Sequence, residues 1–411
     1  MANNRRSTVS PDMITLSDIK AARECVAPVL RPTPLTESDS LSQMAGRTVL
    51  LKPEHLQRTG SYKVRGAYNL ISRLPAGTPV VAASAGNHAQ GVALAASLTG
   101  HKATIFMPVN APLPKVESTR SYGAFIELVG TAVDDAIVTA KKYADETGAV
   151  YVPPFDSPEI VAGQGTVGLE IVDDAPDSLE VVVVPVGGGG LISGVATALA
   201  HTRRHVRVIG VEAEGAASMK QSLAAGHCVT LESISTMADG IAVRAVSELT
   251  LAHVKAYVDD VVTVTEEEIS QALLLLVERA KAVVEPAGAV ALAAILAGRI
   301  PGKGTAVAVL SGGNVDPLLL MKVIDHGMSA AGRYLVLRIV LGDKPGELAA
   351  LTASVADLGL NVLEVEHHRS GLRLAVNEVE VLLTVETRDP HHREETVAAI
   401  RRAGFRVELV R

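Results

Sequence analysis

Residues 181–200 read VVVVPVGGGGLISGVATALA, and their order decides the fold class. Residues 181–186 form a short run rich in β-branched side chains, apolar on both faces. A parallel strand covered on both sides requires that composition. Four glycines follow, and residues 191–200 then carry the small and apolar side chains of a packed helix. Strand, tight loop and helix open a βαβ unit, and residues 206–211 supply the next strand. Gly187, Gly188, Gly189 and Gly190 have no side chains, so successive N–H groups can converge on an anion. The N-terminus of the helix that Leu191 enters would add its dipole. A flexible turn is the plainer reading of four glycines taken alone. A dinucleotide site is a third reading, because Glu212 ends the next strand where a ribose-binding acid would stand. The register rejects it. Counted from Gly187 or Gly188, the third glycine of a G-x-G-x-x-G pattern falls on Ile192 or Ser193.

The alternation of strands and helices extends to both sides. Ser17 is expected to cap a helix with Ile19, Ala22 and Val26 on one face, ending before Pro32-Thr33-Pro34. Residues 49–52, 80–83, 103–107, 125–129 and 306–310 read as further strands. Helical patterns run from the Lys63 loop to about Leu74, over 91–98 and over 134–143. The expectation is an open α/β fold with mostly parallel sheets, its ligand held at the C-terminal strand ends.

The chain has 411 residues, enough for two or three domains and a large core. Hydrophobic residues make up 48% and charged residues 20%, the balance of a globular enzyme. A formal net charge of −7 disfavours nucleic acid or an anionic membrane as partner. No stretch reaches the roughly 18 uncharged apolar residues of a membrane span. Cys25 and Cys228 have no metal-site spacing and read as reduced thiols of a cytoplasmic protein. Residues 1–14 are expected to be disordered, and the first dozen lack the apolar core of a secretory signal.

Chemistry concentrates around SYKVRGA, residues 61–67. Lys63 follows a Thr59-Gly60-Ser61 turn, stands beside Tyr62 and precedes a helical run. A lysine so placed can be held out of water, which lowers its pKa and frees a neutral amine to attack a carbonyl. Taken by itself, the ordinary reading of such a residue is a solvated lysine.

Four segments change that balance: TGSYKVRGAYN (59–69), SAGNHAQGVA (84–93), VGGGGL (186–191) and SGGN (311–314). In this order and spacing they resemble the threonine dehydratases, pyridoxal-phosphate enzymes of fold type II related to serine dehydratase and serine racemase. The resemblance covers about residues 15–325. It implies a catalytic domain over 15–326 built of two α/β lobes, the smaller inserted at about 50–150. It also implies β-elimination on L-threonine and L-serine, giving 2-oxobutanoate or pyruvate and ammonia. Lys63 would carry the cofactor as a Schiff base and act as general base, with Tyr62 flanking the ring. Asn87 would bind the ring 3′-oxygen, Gly187 to Gly190 and Leu191 the phosphate, and Ser311 the pyridine nitrogen. Ser84, Ala85, Asn87 and His88 would receive the substrate, His88 alone being more often structural. Glu285 and Asp239-Gly240 would line the same cleft. Arg65 is left between a cofactor role and a structural ion pair. Racemase-type relatives carry a second serine where this chain has Ala85, so a one-faced elimination is expected. Some relatives also hold a divalent ion. Glu212 and Ala216 match two of its three ligand positions, but the third is Ser218, which leaves a monovalent cation as the alternative.

Beyond an expected linker at 327–332 the pattern changes. Residues 334–340, 361–367, 376–385 and 405–410 read as strands, with GDKPGELAALTASVADLG (342–359) a loop plus helix and a further helix over 390–403. The βαββαβ order is ferredoxin-like. LGDKPGELAAL resembles the ACT domains, regulatory modules that bind amino acids between paired copies. The resemblance implies a regulatory domain over 333–411, isoleucine or valine as effector near 342–347 and Asn361, and a homodimer or homotetramer. The competing readings are a serine racemase or serine-preferring dehydratase, a β-replacing synthase, and an amino-acid sensor with an inert lyase body.

Overall fold

Among the described residues, ten strands of the N-terminal part form two sheets. The strands are β1 (Thr36–Glu37), β2 (Val49–Lys52), β3 (Val80–Ala83), β4 (Ala103–Met107), β5 (Phe125–Leu128), β6 (Val150–Tyr151), β7 (Leu179–Pro185), β8 (Arg207–Ala213), β9 (Asp260–Val264) and β10 (Thr305–Val309). This computed structural model describes residues 13–330, 332–369 and 374–410. The larger sheet has the order β1-β2-β10-β7-β8-β9 and the smaller β5-β4-β3-β6. All neighbours run parallel except the antiparallel pair β1 and β2.

The valine run does what its composition requires. Val181, Val182, Val183 and Val184 of β7 are wholly buried, with helices covering the sheet. Helix Gly190–Thr202 contributes Ile192, Val195 and Leu199 to that core, and helix Pro158–Asp174 contributes Val167 and Ile171. The smaller sheet has its own core, where Val80, Ala82, Ile105 and Met107 meet Ala67, Leu70 and Ile71 of helix Lys63–Ile71.

The structure departs from the sequence expectations at several borders. β2 pairs in parallel with β10, from Val49 opposite Ala306 to Lys52 opposite Val309. It therefore belongs to the larger sheet, and the small lobe starts later than residue 50. Residues 1–12 of the expected disordered segment lie outside the described residues. Its end is ordered: Ile14 is buried, and its N–H donates to His253 Nε2 at 3.0 Å. Thr15, rather than Ser17, caps helix Leu16–Val26, because Thr15 and Asp18 complete a reciprocal capping box. The linker expected at 327–332 is largely helix. Pro317–Ala330 runs through it on a strongly apolar sequence that buries Val323.

The chain divides into two units, one ending at Leu320 and the other beginning at Met321. In the second unit β11 (Tyr334–Gly342), helix Glu347–Asp357, β12 (Val362–His368), β13 (Glu378–Glu386), helix Pro390–Arg402 and β14 (Arg406–Leu409) give the βαββαβ order. Its antiparallel sheet runs β12-β13-β11-β14. Period-two alternation turns Leu335, Leu337, Ile339 and Leu341 inward with Val379, Val381, Leu383 and Val385. Leu351, Val355 and Ile400 of the two helices close over that face. Among the described residues, no helix is long and apolar enough to cross a membrane.

Candidate active site

Four loops leave the C-terminal ends of parallel strands β2, β3, β7 and β10, where an open α/β sheet places its ligands. Lys63 opens helix Lys63–Ile71 after β2, and Ser84, Ala85 and Gly86 lead from β3 into helix Asn87–Thr99. The tetraglycine leads from β7 into helix Gly190–Thr202, and Ser311 follows β10. Backbone bonds lock these loops together. Tyr62 N–H donates to Ser311 O at 3.2 Å, Gly313 N–H to Gly60 O at 2.9 Å and Glu285 N–H to Gly312 O at 3.0 Å.

One cavity of about 740 Å³ joins them, ample for a drug-sized cofactor and a small substrate. Lys63, Tyr62, Ser84, Ala85, Asn87, His88, Gly187 to Gly190, Leu191, Glu285 and Ser311 all border it, as do Asp239 and Gly240.

Lys63 Nζ donates to Pro154 O at 3.0 Å and sits 5.2 Å from the Tyr62 ring centroid. Withdrawal from water lowers its pKa to about 8, against the opposing pull of the Glu285 carboxyl. Burial, then Asp239, raises Glu285 to about 7, while Asn87 Nδ2 donates to its Oε1 at 2.6 Å. Burial and Glu285 raise the Tyr62 phenol, so it holds its proton and packs as an aromatic. His88 is held at about 3, by burial first and then by Lys63. It is therefore neutral, and its Nε2 donates to Val152 O at 2.8 Å. Its hydrogen bonding is structural.

The tetraglycine leaves no room for side chains. A Cβ on Gly187 would lie 2.9 Å from Ile241 Cα, and one on Gly188 would enter the Phe155 ring. Gly189 has φ +89°, a left-handed conformation that an L side chain disfavours. What this loop can offer the cavity is backbone N–H at a helix N-terminus, which suits a phosphate. An amine of lowered pKa, a phosphate cradle and a ring-sized space between them fit pyridoxal phosphate.

Arg65 is resolved as structural. It lies outside the cavity, and its guanidinium bonds Glu54 and Glu170. Glu212 and Ala216 are likewise outside the cavity. The Glu212 carboxylate accepts Met219 N–H at 2.8 Å and Lys220 N–H at 2.9 Å, capping helix Ser218–Ala225. Burial raises it to about 7, against those two N–H groups. Among the described residues, no cluster of three His, Cys, Asp or Glu could hold a metal ion.

Several cavity residues carry no sequence signal. Phe155 packs on the tetraglycine. Lys115 Nζ meets Asp239 Oδ2 at 2.5 Å, and Arg244 approaches Asp134 at 3.8 Å. These pairs join residues more than a hundred positions apart, outside any local motif.

Fold and site together define a lysine-dependent pyridoxal-phosphate enzyme. Residues 26–312 match the family model described as pyridoxal-phosphate dependent enzyme. The chain is 48% identical over 402 residues to the L-threonine ammonia-lyase of Thermotoga maritima, spanning 97% of this chain and all of that protein. It is 43% identical over 339 residues to the catabolic L-threonine dehydratase of Staphylococcus aureus, spanning 80% of this chain and 98% of that protein. The structure of maize serine racemase matches with a TM-score of 0.72 at 37% identity, over 77% of this chain and 98% of that one. The chain belongs to the pyridoxal-phosphate-dependent enzymes of fold type II, in the serine/threonine dehydratase family.

Proposed function

We propose that this enzyme is an L-threonine ammonia-lyase that also takes L-serine, releasing 2-oxobutanoate or pyruvate together with ammonia. The observation that carries the reading is the pairing of one desolvated amine, Lys63, with a loop whose second residue is Ala85. Both border the same cavity. When bound, pyridoxal phosphate supplies the electron sink for a carbanion at Cα. Lys63 Nζ removes the Cα proton, its lowered pKa leaving part of it neutral near pH 7. Ser84 Oγ already accepts the Gly86 N–H at 3.1 Å, and Ala85 offers only a methyl group. Because Ala85 has no transferable proton, proton transfer at Cα is assigned to the lysine face. The β-hydroxyl would leave as water once protonated, and the enamine so formed would tautomerise and hydrolyse in water to the oxo acid and ammonia. Asn87 would orient the ring, the tetraglycine would hold the phosphate, and Ser311 would face the ring nitrogen, all of them bordering the cavity. A serine there does not keep that nitrogen protonated, which favours rapid β-elimination over prolonged carbanion life.

The C-terminal unit is proposed as an ACT regulatory domain. Its βαββαβ order and its LGDKPGELAAL segment support that reading. The effector would be isoleucine or valine at residues 342–347 and Asn361, with the enzyme serving isoleucine biosynthesis in the cytoplasm as a homodimer or homotetramer. A catabolic role is the second reading, favoured by the name of the Staphylococcus aureus relative. The deciding experiment is a turnover assay with threonine and serine, each with and without isoleucine and valine. Threonine turnover inhibited by isoleucine supports the biosynthetic reading. Turnover indifferent to both effectors supports the catabolic one, and no turnover at all contradicts the lyase.

A further inference from the structure

Asn314 closes the SGGN segment and does not border the cavity. Its Nδ2 nevertheless donates to Thr59 O at 2.6 Å and to Asn87 Oδ1 at 2.8 Å. Asn87 Nδ2 in turn donates to Glu285 Oε1 at 2.6 Å. A carboxamide has one accepting and one donating end, and its neighbours decide which way round it lies. The Thr59 backbone carbonyl can only accept, so the Asn314 atom facing it is nitrogen. That nitrogen also faces Asn87, so the Asn87 atom it meets must be oxygen. The Asn87 nitrogen is thereby turned toward Glu285 and the cavity.

We infer that Asn314 is a positioning residue that fixes the polarity of Asn87, so that Asn87 presents N–H groups and never its carbonyl to the ring 3′-oxygen of pyridoxal phosphate. The inference rests on the reading of Asn87 as a ligand of that oxygen. The ring oxygen is an acceptor with anionic character, and a carbonyl turned toward it would repel it. The polarity chain is anchored at the Thr59 backbone carbonyl, which can only accept, and runs on to the Glu285 carboxyl, which accepts from Asn87. It also ties Asn87 to the turn that carries Lys63, since Thr59 lies four residues before the lysine.

The test is a double-mutant cycle on cofactor binding by the apoprotein, followed by fluorescence, with no turnover required. Pyridoxal phosphate is titrated into wild type, Asn314→Ala, Asn87→Ala and the double variant, with melting of each apoprotein as the folding control. Each single change should weaken binding by about tenfold, the worth of one hydrogen bond to a charged acceptor. The double variant should bind no more weakly than Asn87→Ala if Asn314 affects the cofactor through Asn87 rather than through its bond to the Thr59 turn. Losses that multiply to about a hundredfold would show an independent structural role and overturn the inference. Wild-type binding by Asn314→Ala would overturn it as well. Wild-type binding by Asn87→Ala would remove the Asn87 assignment and this inference with it. Multiplying losses with a weakened Asn87→Ala would leave that assignment standing. Should Asn314→Ala fail to fold, Asn314→Asp keeps the shape while removing the donor. It should bind the cofactor at least tenfold more weakly, and wild-type affinity in Asn314→Asp counts against the inference.

Discussion

Arg65 and Glu54 meet in a bidentate ion pair, Nε to Oε2 and Nη2 to Oε1 at 2.7 Å each, with both side chains fully buried. Glu170 accepts Arg65 Nη1 at 2.6 Å and Lys52 Nζ at 2.5 Å, while Thr33 Oγ1 donates to Glu54 at 2.6 Å. Burial alone would lower the pKa of Arg65, yet Glu54 and then Glu170 raise it above the free guanidinium. Two cations and two carboxylates thus neutralise each other in the interior. Arg65 stands two residues beyond Lys63 on the same helix, so the network holds that helix against the end of β2 and helix Pro158–Asp174. The lysine owes its fixed position in part to ions that never touch the cavity.

Glu54→Gln should therefore destabilise the fold by about 3–5 kcal/mol, since it leaves Arg65 buried with its main countercharge gone. Glu170→Gln should cost less, because that side chain keeps 26% of its surface exposed. Urea unfolding of both variants measures the difference. Equal losses, or a loss below about 1 kcal/mol for Glu54→Gln, would mean that the pair does not carry this load.

The amine of Lys63 sets a pH dependence. Only the neutral amine attacks an aldehyde, so capture of pyridoxal phosphate by the apoprotein should accelerate as pH rises through about 8. At pH 7 a lysine of that pKa is roughly one-tenth neutral, whereas an ordinary lysine is neutral in roughly one molecule in three thousand. Stopped-flow absorbance over a range of about five pH units, from roughly pH 6 to pH 11, would show the midpoint. A midpoint above 10 would place Lys63 in water.

The chemistry of this site was legible because it sits in contiguous loops. TGSYK, SAGNH, GGGG and SGGN each follow a strand, and a strand's C-terminal end fixes where its loop points. The valine run read correctly for a similar reason, as its burial is a property of the run itself. Phe155, Lys115, Asp134 and Arg244 reach the cavity from segments with no local chemical pattern, so no motif marks them. The linker at 327–332 failed differently. Small residues fill that segment, but the apolar run before it carries the helix on to Ala330. Arg65 could not be decided from sequence, since its partner Glu170 lies 105 residues away.

Ala85 should hold the reaction to elimination. Wild-type enzyme given L-serine in deuterated water should leave recovered serine free of the D-enantiomer. Ala85→Ser places a hydroxyl in the cavity and should yield a trace of D-serine, detectable by chiral chromatography. Substantial D-serine from the wild type would end the one-face account.

Removing residues 333–411 should leave a competent lyase that no longer answers to isoleucine or valine. The four loops that border the cavity all lie before Met321, where the second unit begins. Persisting isoleucine inhibition in the shortened enzyme would put the effector site in the catalytic unit.

The most direct measurement of the central claim is 2-oxobutanoate release from L-threonine by the holoenzyme, run beside Lys63→Ala at matched concentration. The wild type should turn over threonine, and Lys63→Ala should fold normally while losing at least about a thousandfold in rate, as it lacks both covalent anchor and general base. A folded Lys63→Ala enzyme that keeps near-normal threonine turnover would contradict the account.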